Sequence, residues 1–174
     1  FRNLYWWRLK RLDWSFNPAG TPRNLLDEDG GTVAVQAALA RAQDNITGAT
    51  NRCDRGDRVS AKGALVGVTR RDPNVAGIGR CTGGDGHSVI QFGDLPSYSI
   101  AMTCVYGIRR GVAVEADIRI NGVEARWATD RSSCSGKELL IEAAMTHEFG
   151  HAYGLSHAST IRNPSLTMQP LVRA

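Results

Sequence analysis

The chain has 174 residues, 42% of them apolar and 22% charged, with a formal net charge of +4. That is enough for one domain with its own core, and no apolar run is long enough to cross a bilayer as a helix. Phe1 opens the chain with no charged and apolar leader behind it, which reads as a processed or trimmed form.

Near the start, Arg2, Arg8, Lys10 and Arg11 are interleaved with the tryptophans of "YWWRLKRLDW". A nucleic-acid reader would want such a patch, but no nucleic-acid fold signature accompanies it. The expected reading is an N-terminal strand with solvated basic side chains and buried tryptophans, with no nucleic-acid or membrane partner. "WSFNP" reads as a strand ended by Pro18 and Gly20. "TVAVQAALARAQDNITG" reads as a helix, because Val35, Leu39, Ala42 and Ile46 fall on one stripe and Gly48 stops it. Its "NIT" at Asn45–Thr47 fits the N-glycosylation pattern. "RGD" at Arg55–Asp57 matches an adhesion ligand in three residues, and a polar turn is the simpler reading.

"GALVGVTR" is expected to be a strand, and the glycine-rich "AGIGRCTGGDG" a loop that matches no phosphate-binding pattern. His87, just after it, is read as a loop histidine; the Gly and Asp around it are compatible with calcium, which no ligand spacing supports. Three β-rich runs follow: "HSVIQFGDL", "SIAMTCVYG" and "VAVEADIRIN". The four cysteines, Cys53, Cys81, Cys104 and Cys134, contain no C-x-x-C pair and suit two disulfides in an oxidising, extracellular setting. Of the three pairings, Cys53–Cys81 with Cys104–Cys134 is expected, each closing a loop of moderate length.

The chemistry concentrates in "HEFGHAYGLSH". Ser135 and Glu138 spell a capping box ahead of the apolar run "LLIEAAM", so a helix is expected from there. Leu140, Ala144, His147 and His151 share one of its faces, and two imidazoles on successive turns can grip one metal ion. Glu148 stands beside that pair, able to act on a water without ligating the metal. Gly154 tolerates a left-handed backbone and stops the helix, which lets His157 swing back as a third ligand. Three histidines leave the fourth position of a tetrahedral zinc open, as in catalytic zinc sites.

These residues resemble the metzincin zinc endopeptidases, with the pattern H-E-x-x-H-x-x-G-x-x-H. By position, His147, His151 and His157 match the zinc ligands, Glu148 the general base and Gly154 the turn glycine. Met168 in "LTMQP" matches the methionine of the turn beneath the zinc. Within the clan the chain is most similar to the matrixin-like group and its bacterial relatives, because Pro170 stands where astacins and serralysins carry a tyrosine. Ala158 departs from the serine that matrixins usually place there, and Ala174 follows Met168 by six residues where metzincins usually carry a further helix.

The resemblance implies an α+β fold in a single catalytic domain over 1–174. Residues 1–134 would form the sheet and first long helix, and 135–174 the active-site helix, third ligand and methionine turn. It implies a twisted, mostly parallel sheet with an antiparallel edge strand, at Ile100, Ala101, Met102, Thr103, Cys104 and Val105, which would receive an extended protein or peptide substrate. The implied activity is that of a secreted, monomeric endopeptidase with one catalytic zinc. Two other readings remain: an inactive zinc-binding recognition module, and an adhesion module built on "RGD" and the basic N-terminus.

Overall fold

A computed structural model describes residues 6–7, 11–49, 59–107, 111–159 and 166–170. In chain order the elements are β1 (Trp6–Trp7), β2 (Arg11–Asn17), α1 (Arg23–Leu26), α2 (Gly31–Thr47), β3 (Lys62–Val68), β4 (Val75–Ala76), β5 (Arg80–Cys81), β6 (Val89–Gly93), β7 (Ala101–Gly107), β8 (Val112–Asn121), β9 (Trp127–Ala128), β10 (Leu139–Leu140) and α3 (Ile141–Ala152). The fold is α+β. Arg2, Arg8, Lys10, Cys53 and the Arg55–Asp57 tripeptide lie outside the described residues.

The main sheet has six strands, and all its pairs are parallel except that of β7 with β8. β2 and β6 occupy its middle and β3 one edge, while β7 pairs with β8 alone among the described residues. Alternation sorts the two faces. Phe16, Ile90 and Ile118 stand side by side in the register and join the core with α2 and α3. Their neighbours Asn17, Gln91, Glu115 and Asp117 face the other way, and all four are buried. The loop between β3 and β6 and the first residue of β6 supply their cover: Asn74, Asp85, Gly86 and Val89 aim backbone N–H groups at Glu115 and Asp117. That segment, expected to be plain loop, also folds into the two-residue hairpin β4–β5.

The helical stripe is realised: Val35, Leu39 and Ala42 are fully buried, Ile46 packs at the margin, and Gly48 caps the end. Each large apolar side chain so buried contributes about 1.5–3 kcal/mol. Trp7 and Trp14 are buried as expected and also hold α3 in place. Trp7 Nε1 donates to the Ala152 carbonyl at 2.7 Å, and the Trp14 ring lies 5.5 Å from that of Phe149. Gln43 ties the layers together. It accepts from Trp14 Nε1 and donates to the Tyr153 hydroxyl, which donates to the Lys62 carbonyl. Gly63 is the residue this junction requires, since a β-carbon there would sit 1.8 Å from Gln43 Nε2.

Candidate metal centre

The helix that carries the histidines starts later than its sequence implies. Ser135 and Glu138 do bond each other, the Ser135 N–H and hydroxyl both donating to Glu138 Oε2 at 2.9 and 3.1 Å. They form a separate turn, not the helix cap. Leu139 and Leu140 pair with Trp127 and Ala128 as β10, so α3 begins at Ile141 with Leu140 as its N-cap and no side-chain cap. A neighbouring strand outcompetes the local signal. α2 braces the new start: Arg41 pairs with Glu142 at 2.7 Å, and the Asn45 amide, the one in "NIT", donates to Glu142 and Thr146.

The other end of α3 follows the expectation. Gly154 adopts φ +95°, its N–H reaches the His151 carbonyl, and the Leu155 N–H reaches Gly150. These two bonds make a Schellman ending, which reverses the chain and brings His157 back. The same reversal presents the Leu155 carbonyl to His151 Nδ1 at 2.8 Å. His147 Nδ1 meets the Thr167 carbonyl at 2.7 Å. A carbonyl oxygen can only accept, so both Nδ1 atoms carry the proton and both Nε2 atoms present lone pairs.

Those Nε2 atoms lie 3.0 Å apart, and His157 Nε2 lies 3.2 Å from His147 and 3.0 Å from His151. Two lone pairs cannot bond each other, and one N–H on His157 could serve only one of them. A shared cation satisfies all three. Nitrogens at tetrahedral distance from one zinc-sized ion would stand about 3.3 Å apart, close to what is observed. The three histidines can therefore hold a metal ion. Burial pushes His151 and His157 below the ordinary imidazole range, with neighbouring imidazoles adding to the drop. This favours the neutral, ligating form.

Glu148 is buried beside the triad. Loss of solvent raises its pKa, opposed first by a hydrogen bond from Thr103 and then by His147 and His157. Thr103 Oγ1 lies 2.5 Å from Glu148 Oε2. Sequence reasoning placed Thr103 only as part of a backbone edge. This hydrogen-bonded pair lies in the lining of a cleft of about 420 Å³. Its lining consists of residues 98–103, the three histidines, Glu148, Gln169 and Pro170. Of the expected substrate strand, Ile100, Ala101, Met102 and Thr103 line this cleft; Cys104 and Val105 do not.

Met168 is buried, not aimed into the cleft, and packs against Gly150 so tightly that a β-carbon there would sit 2.2 Å from its Sδ. Its turn does two jobs through backbone oxygens. Thr167 receives His147, and Met168 receives the Ala158 N–H at 2.5 Å. Neither acceptor has a side-chain signal that a sequence could reveal.

The cysteine pairing is corrected. Cys81 bonds Cys104, with Cα atoms 5.6 Å apart, and Cys134 is free with its Sγ near the Glu138 carbonyl. Both expected pairs, Cys53–Cys81 and Cys104–Cys134, are excluded by that bond. Alternation along β7 explains it. Thr103 stands opposite Ile118 and faces α3, so Cys104, opposite Asp117, faces the loop layer where β5 brings Cys81. Loop length carries no information about that reversal of faces.

His87 is exposed, as expected of a loop residue. Among the described residues no second group of three potential ligands clusters as the histidines do, around His87 or elsewhere. No described helix is long and apolar enough to cross a membrane. A scan against protein-family models finds no match, and a search of curated proteins finds none.

Proposed function

We propose that this chain is a zinc-dependent endopeptidase of the metzincin type, most similar to the matrixin-like group, and that it acts outside the cell. The observation that carries this reading is the convergence of three Nε2 atoms within 3.2 Å beside a buried carboxylate in an open cleft. The disulfide agrees with an oxidising compartment.

β7 has a strand on one edge only among the described residues. An extended peptide can add to the other edge by main-chain hydrogen bonds and lie along the cleft. Zinc, when bound by His147, His151 and His157, supplies Lewis acidity that lowers the pKa of a coordinated water and polarises the scissile carbonyl. Glu148 takes a proton at Oε1 as the water oxygen joins the carbonyl carbon. It then delivers that proton to the amide nitrogen as the C–N bond breaks, leaving a carboxylic acid and an amine. Burial, which raises the Glu148 pKa, makes the carboxylate a better base and then a competent acid. Thr167 and Leu155 keep two of the imidazoles in the ligating tautomer throughout.

A fluorogenic peptide library with and without chelator tests this. Cleavage within the peptides that stops on chelation is expected. Metal binding with no cleavage of any peptide would instead favour a recognition module.

A further inference from the structure

We propose that Thr103 is the positioning residue for Glu148, fixing which carboxylate oxygen takes the proton; this rests on the peptidase reading. The side chain reaches Glu148 because β7 alternates: Met102 and Cys104 are turned to the loop layer, and Cys104 is anchored there by Cys81. Thr103 is left facing α3. Its hydroxyl lies 2.5 Å from Glu148 Oε2 and 3.3 Å from the Glu148 carbonyl oxygen.

A threonine has one hydroxyl proton to give. The hydroxyl lies nearer to the carboxylate than to the backbone carbonyl, 2.5 against 3.3 Å, and in the base form that the mechanism requires the carboxylate is also the stronger acceptor. Thr103 therefore occupies Oε2 and leaves Oε1 as the basic oxygen. The donor is neutral, so it orients the carboxylate without the competing charge that a lysine or arginine would bring. The β-branched side chain is stiff at χ1 and sits on a strand, so the hydroxyl has little freedom to leave. Without it, the carboxylate can rotate and share its two oxygens between productive and unproductive directions.

The geometry also links substrate to base. Thr103 belongs to β7, which lines the cleft and pairs with β8 alone among the described residues, so a peptide that pairs with β7 orders the same residue that holds Glu148. Thr103 thus acts through Glu148.

The test uses Thr103→Val, which keeps the shape and removes the donor, and Thr103→Ser, which keeps the donor. With zinc loaded, Thr103→Val should lower kcat on the order of tenfold or more, the size of one lost charge-assisted hydrogen bond, with KM little changed. Thr103→Ser should recover most of it. A second readout needs no metal. In chelator-treated protein, Thr103→Val should lower Tm in the wild-type background and barely move it in a Glu148→Ala background. Wild-type kcat in Thr103→Val, no recovery in Thr103→Ser, or equal Tm shifts in both backgrounds would overturn the proposal while leaving an active enzyme. A zinc-loaded wild type that cleaves no peptide overturns the peptidase reading, and the positioning role with it.

Discussion

In the proposed mechanism Glu148 and the three histidines divide the work: the histidines would hold the ion, and the glutamate would move the proton. Glu148→Ala should therefore retain stoichiometric zinc and lose turnover by about 10²–10⁴-fold, the range for a general base. Metal analysis and kcat on the same sample check this, and substantial residual activity would assign the proton transfer elsewhere. These four residues and Gly154 were legible because their spacing acts through local geometry, one helical turn and one left-handed reversal. Thr103 was not legible, since it meets Glu148 only through the register of β7 on β8. The Thr167 and Leu155 carbonyls were not legible either, because every residue has a carbonyl and only the folded chain selects these two.

At the level of elements, the methionine turn and the edge strand are held from behind. A β-carbon at position 150 would meet Met168 Sδ at 2.2 Å. Gly150→Ala should thus cost about 1–3 kcal/mol by overpacking. It should also weaken metal binding, because displacing Met168 moves the Thr167 carbonyl off His147. Thermal melting and a competitive zinc titration would measure both, and unchanged affinity would mean that the turn does not orient His147. Met168→Leu, close in volume, should be mild by comparison. The Cys81–Cys104 bond closes a separation of 23 residues, which on the chain-entropy model stabilises by about 3 kcal/mol. Paired Cys81→Ser and Cys104→Ser changes should lower Tm accordingly, and an unchanged Tm would refute that contribution. Local signals misled at this scale in two places. The Ser135–Glu138 box forms a real turn, but strand pairing claims the next two residues and delays α3. Even cysteine spacing named two loops, but the side of β7 on which Cys104 stands decided its partner.

For the whole molecule, the longer strands along the chain and the two long helices were legible in the sequence pattern and the mostly parallel pairing in the resemblance, whereas the second face of the sheet was legible in neither. That face is a buried polar layer under the β3–β6 loop, and polar residues on a strand look solvent-exposed until a loop covers them. Its centre is Asp117, fully buried, whose pKa burial pushes up to about 7 against the N–H groups of Val89 and Asn74, with Glu115 adding to the rise. An unfolded aspartate ionises near about 4. Between those values the folded form keeps a proton that the unfolded chain has released, so rising pH favours unfolding. The stabilisation is fully present below about pH 4 and lost by about pH 7. Wild-type Tm should carry this falling contribution across that window and Asp117→Asn should not; identical pH slopes in the two proteins would contradict it. The proposed peptidase activity requires one zinc at the α3 centre beside the β7 edge. Titrating metal-free protein with zinc while following cleavage of a fluorogenic peptide tests it most directly. Activity should be absent at the start, rise linearly and break at one equivalent; cleavage before any zinc is added, or none after one equivalent is bound, would contradict it.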